Sequence, residues 1–137
     1  MKLNQFVIGI FFTVLSIGVH AEPKWEFVAT SEGIMIGLDT NSISPVSEYG
    51  YQNNKKFWTK QVVVEDLIQD GLAVGDHRMM MNWINCNAKT YGVKSATDYI
   101  QQKNGRTKTD TSTFPTVVMN DIIPGTIGDI MFGMVCK

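Results

Sequence analysis

The feature that most limits how this chain can fold is a period of two in its apolar residues. Trp25-Glu26-Phe27-Val28-Ala29-Thr30 alternates large apolar and other side chains. Ile34-Met35-Ile36-Gly37-Leu38 repeats the pattern, with Ile34, Ile36 and Leu38 on one face. Successive strand side chains point to opposite faces of a sheet, whereas a helix would need a spacing of three or four. Ser31-Glu32-Gly33 separates the two runs as a turn, so they read as a first hairpin. Asp39-Thr40-Asn41-Ser42 ends that hairpin with side chains that bond their own backbone.

The same pattern continues along the chain. Residues 44–54 hold Pro45, Gly50 and several Ser and Asn, and read as a loop. Residues 56–65 contain Phe57-Trp58-Thr59 and Val62-Val63-Val64, all strand formers. Residues 66–76, with Gly71 and Gly75, form a loose connection. Residues 78–86 are a strand with both faces apolar: Met80, Ile84 and Cys86 point one way, and Met79, Met81 and Trp83 the other. Residues 91–100 continue the sheet, with Tyr91, Val93 and Tyr99 expected on one face. Asn104-Gly105 marks a tight hairpin, and the Thr-rich residues 107–114 return from it. Residues 115–123 have no clear period, although Val117-Val118-Met119 could extend. Thr126 then caps a helix, with Asp129 near its positive end and Ile127, Ile130, Met131 and Met134 at helical spacing. The helix is expected to end just before Cys136. The fold class is α+β: an antiparallel sheet of about six strands, with one C-terminal helix packed on one face.

The first residues precede this fold. Met1-Lys2 is followed by an apolar run over residues 6–19 and by Val19-His20-Ala21, the layout of a secretory signal peptide. That run is roughly 14 residues, short of the ~20 needed to span a bilayer. Residues 1–21 are therefore expected to leave, and residues 22–137 to form a single domain. No cysteine lies at the cleavage position, so no lipid or other stable membrane anchor is expected. The expected location is the periplasm, the cell surface or the medium. That compartment is oxidising, and Cys86 and Cys136 are the only thiols. Their spacing is far from a redox Cys-x-x-Cys motif, so they read as one structural disulfide.

Charge and chemistry narrow the function. The net charge is −1, which gives no bulk attraction to nucleic acid. Beyond the leader His77 is the sole histidine, and nothing resembles a nucleophile elbow, a phosphate loop or a His-Glu-x-x-His zinc motif. No catalytic, cofactor-binding or metal-ligating residues are assigned. A single helix covers one sheet face, which leaves the row Met79, Met81 and Trp83 without an evident cover. Exposed apolar patches mark interaction sites, so this row or its neighbours are expected to form a homodimer or partner surface.

Several local patterns occur in a telling order: the strand over residues 25–30, Leu38-Asp39-Thr40-Asn41-Ser42-Ile43, the strand over residues 57–65, Ile84-Asn85-Cys86, and Pro124-Gly125-Thr126 before a helix ending at Cys136. In this arrangement the chain resembles the bacterial surface-adhesin protein E family from Trp25 to Cys136. The resemblance implies a small antiparallel sheet with the helix on its concave face, a Cys86–Cys136 bridge, and a turn-capping role for Asp39 and Ser42. It also implies a non-enzymatic binding domain that contacts host matrix or serum proteins and can dimerise. The other expectation is a periplasmic structural or accessory module, or an inhibitor of another envelope protein. Residues 69–78 favour it, because they carry Asp70 and Asp76 against the single Arg78.

Overall fold

A computed structural model describes residues 21–137. The expected leader over residues 1–21 lies, apart from Ala21, outside the described residues. The strands are β1 (Trp25–Ser31), β2 (Ile34–Asp39), β3 (Ser44–Pro45), β4 (Asn54–Val63), β5 (His77–Asn85), β6 (Thr90–Gln101), β7 (Thr107–Thr113) and β8 (Asn120–Asp121); one helix, α1 (Ile127–Val135), follows. The main sheet runs β1-β2-β4-β5-β6-β7 and every pairing is antiparallel. The short β3 and β8 add to β4 and β6. The expected architecture, six antiparallel strands with a C-terminal helix and one disulfide, is the one observed. β3 and β8 are two residues each, too short to show a period.

The main core lies between α1 and one sheet face. Val28, Ile36, Leu38, Phe57 and Ile84 meet Met131 and Val135 there. Leu38, Phe57 and Ile84 are fully enclosed. Burial of each such side chain is worth about 1.5–3 kcal/mol. α1 has nine residues, too few to hold a helix alone in water. Its N-terminus is capped: Thr126 Oγ1 accepts from Asp129 N–H, and the Asp129 carboxylate accepts from Gly125 N–H at 2.9 Å. Its C-terminus receives Lys55 Nζ, 3.0 Å from the Val135 carbonyl, a cation where the dipole favours one. Cys136 follows directly and is bridged to Cys86 at the end of β5.

Two carboxylates fix the connections. Asp39 Oδ1 accepts from the backbone N–H of Asn41 (3.0 Å) and of Lys24 (2.8 Å), which caps the 3-10 turn Thr40–Ser42 and ties down the segment before β1. Ser42 Oγ donates to the Asp39 carbonyl at 2.6 Å and accepts from Trp58 N–H at 2.9 Å. Asp76 closes the long β4–β5 connection. Its Oδ2 accepts from Ala73 N–H and its Oδ1 from Gln101 N–H, both at 2.8 Å. These bonds hold its carboxyl below the usual carboxylate range, with His77 adding a smaller push and burial opposing.

One expectation about faces is corrected. The β5–β6 register slips at Met81/Asn82, so Lys94 is an extra residue in β6. Such a bulge turns the following side chains over. Tyr91 and Val93 therefore face the helix side, and Tyr99 faces the opposite side with His77.

Candidate functional site

The helix-free face carries the candidate site. The cross-strand rows Met35–Val62–His77–Tyr99 and Gly37–Lys60–Met79–Thr97 lie on it, with Trp58 beside Met81 in the next row. Phe27 pairs with Gly37, and the Trp25 ring lies against the same glycine, where a Cβ would touch it at 3.6 Å. Trp25, Trp58, Met79, Thr97 and Tyr99, with Pro23, line an open groove of about 230 Å³. Trp25 is 40% exposed, Phe27 65% and Met35 42%. Aromatic and Met side chains gathered on one open face are what protein interfaces are enriched in. Lys56 and Lys60 project from β4 on the same face, by the alternation of the strand.

The other half of this face is covered. Trp83 is only 3% exposed and packs with Val46 and Val117, flanked by Tyr51, Met81 and Met119. Tyr51 meets the Trp83 ring at 4.9 Å between centroids, tilted by 59°. Lys94, turned here by its bulge, places Nζ 5.1 Å from the Trp83 centroid and pairs with Glu48 at 3.1 Å. Gly92 sits opposite Trp83, and a Cβ there would lie 2.5 Å from the Val118 carbonyl oxygen. Glycine is what lets residues 117–119 cross so closely.

The titratable groups near the face hold structure. The His77 ring stacks on Tyr99 at 4.6 Å, with 4° between the planes. Burial lowers its pKa below the ordinary histidine value, Lys60 lowers it further, and Asp76 partly opposes. On the opposite face Arg78 and Asp98 form a two-point pair, with Nη2 2.9 Å from Oδ2. No group of three His, Cys, Asp or Glu that could hold a metal gathers among the described residues. None of the enclosed side-chain polar atoms there lacks a partner. This arrangement is suited to recognising a surface.

The residues singled out from sequence are thus distributed unevenly. Cys86 and Cys136 are joined. Asp39 and Ser42 share one hydrogen-bonded turn. Met79 lines the open groove, Met81 is half-buried at its border, and Trp83 lies beneath other segments. Trp83 is therefore not an outward-facing residue: Val46, Tyr51, Val117 and Met119 cover it. Trp25, whose place in a strand most simply reads as core, is 40% exposed on the helix-free face, and Phe27, Met35 and Tyr99 join it there without a sequence assignment to the surface. The alternation of β1 and β2 could have placed the first three opposite the Ile36 and Leu38 core. No helix among the described residues is long and apolar enough to cross a membrane. Comparison of the chain with family models, with curated proteins and with solved structures returned no match.

Proposed function

We propose that this chain is an exported, adhesin-like binding domain of the surface-adhesin protein E type, and that it engages a protein partner through its helix-free face. The observation that carries the reading is the apolar band of exposed Trp25, Phe27 and Met35 with half-buried Trp58, Met79 and Tyr99, beside Lys56 and Lys60. Such a band suits an apolar partner surface with acidic residues at its rim. The Cys86–Cys136 bridge suits an oxidising compartment.

The test is retention of cells displaying the protein on immobilised matrix and serum proteins. Wild-type cells should be retained, and a Trp25→Ala/Phe27→Ser variant should bind about tenfold less, because interface energy concentrates in central aromatic anchors. No retention of the wild type, or equal retention of the variant, would count against the reading. Sedimentation of the purified chain tests whether the same band joins two copies.

The second reading is a periplasmic accessory module or inhibitor. Asp66 and Asp70, both exposed on the β4–β5 connection, favour it, because they offer acid where a polyanion-binding adhesin would carry base. Cell fractionation separates the two: recovery at the surface or in the medium supports the adhesin, and periplasmic recovery supports the module.

A further inference from the structure

A second site lies on the opposite face. Between the start of α1 and the sheet is a half-open groove of about 420 Å³, the size of a small-molecule pocket. Its walls are mainly apolar, from Ile36, Met80, Ile122, Ile127 and Met131, with the polar Tyr91, Asn120 and Thr126 also on the lining. Its floor is polar but uncharged, formed by Thr59, Gln61 and Asn82. Asp121, exposed at the rim, is the groove's sole charged residue.

The floor is where the chemistry is specific. Asn82 is 1% exposed and Thr59 2%. Asn82 Nδ2 donates to Thr59 Oγ1 at 2.8 Å and to the Met80 carbonyl at 3.1 Å. The Met80 carbonyl fixes the orientation of the amide, because a flipped amide would set oxygen against oxygen. Asn82 Oδ1 accepts no hydrogen bond from the described residues. Every fully enclosed side-chain polar atom among them has a partner, so Oδ1 must open into the groove. Thr59 Oγ1 already accepts from Asn82, which leaves its own proton to donate elsewhere. Asn82 Oδ1 as acceptor and the Thr59 hydroxyl as donor therefore each keep a hydrogen bond that no described residue takes up, side by side beneath an apolar slot. A hydroxyl group, which donates and accepts at one atom, answers both.

We propose that this groove binds a small uncharged molecule carrying a hydroxyl on a hydrocarbon body, with the hydroxyl seated between Asn82 Oδ1 and Thr59 Oγ1. A carboxylate would set its charge against Asn82 Oδ1 with no cationic side chain on the lining, and Asp121 would repel it at the entrance; the positive end of α1 on the same wall is already answered by the Asp129 carboxylate. A wholly apolar molecule would leave the floor unpaired. The site is independent of the helix-free face.

The experiment is an NMR titration of the purified, oxidised, isotope-labelled chain with 1-octanol and, separately, with octanoate at pH 7. Octanol should shift the Asn82 side-chain amide and the Ile127 and Gly128 backbone amides saturably. Octanoate should bind about tenfold more weakly, because its charge would be buried unpaired. Thr59→Val should weaken octanol by a similar factor; if that variant does not fold, the comparison of the two probes on the wild type still decides. Absence of a saturable shift would mean that the groove holds only water. Equal affinities would mean that the polar floor selects nothing. Shifts confined to Trp25 and Trp58 would place the molecule on the other face. Each of these three results overturns the proposal.

Discussion

Asp76→Asn is the sharpest test of how the sheet is held together. The carboxylate accepts Ala73 N–H on one oxygen and Gln101 N–H on the other, joining the β4–β5 connection to the far end of β6. Asparagine keeps the shape but retains only one acceptor. Its NH2 group would then face a backbone N–H, so one bond is lost and one donor is left unpaired. Hydrogen bonds to a charged group are worth about 1.5–3 kcal/mol each, and the orphaned donor adds to the loss, so the variant should be less stable by about 2–4 kcal/mol. Urea unfolding followed by tryptophan fluorescence reads this directly. The pH dependence gives an independent check. The folded carboxyl lies below its ordinary 3.8, so its contribution is full above that value and disappears as pH falls through the folded value. The gap between wild type and variant should therefore stay constant from about pH 8 to pH 5 and shrink below about pH 4. A gap under about 0.5 kcal/mol at pH 7, or one that persists unchanged to about pH 2, would refute the assignment of a paired, ionised Asp76.

Other expectations follow from the same structure. Cys86→Ala with Cys136→Ala removes a link between residues 50 apart in sequence. It should cost about 4 kcal/mol in the chain-entropy account, read as a lower urea midpoint. Trp83→Ala should cost about 3–5 kcal/mol because the ring is enclosed. Trp25→Ala, at an exposed site, should change stability by less than about 1 kcal/mol in the same assay. Gly92→Ala should destabilise by at least about 1–3 kcal/mol, because the new methyl meets the Val118 carbonyl and not a movable side chain; full stability would show that residues 117–119 do not pack there.

Much of the fold was legible because alternation with a period of two survives in β2, β4 and β5, and because Thr126 and Asp129 mark the helix start; in β1 it breaks at a bulge that leaves Val28 and Ala29 both on the core side. Sequence alone hides what lies over a sheet face. Trp83 shares an apolar row with Met79 and Met81, yet Trp83 alone is buried, under Val46, Tyr51, Val117 and Met119, in segments with no period of their own, while Met79 stays on the open groove. The bulge at Lys94 is equally silent locally, yet it moves Tyr99 to the other face. Asp76 is half legible. The bond to Ala73 is a local turn, whereas the bond to Gln101 joins positions 25 residues apart. Asn82 did leave a signal: it is the one polar residue on the helix-facing side of β5 between Met80 and Ile84, which in a strand buried on that side asks for a partner.

The last strand of the sheet, β7, is exposed along all seven of its residues. Its outer row of amides and carbonyls has no neighbour in the sheet order, and such a rim would ordinarily recruit stray chains into runaway stacking. Lys108 and Asp110 stand on that margin among hydroxyl-bearing neighbours. Together they make it costly to extend the sheet into a fibre, since an arriving strand must strip water from both ions and from a file of threonines. The polar monotony of this stretch thus works as an insulator along that margin.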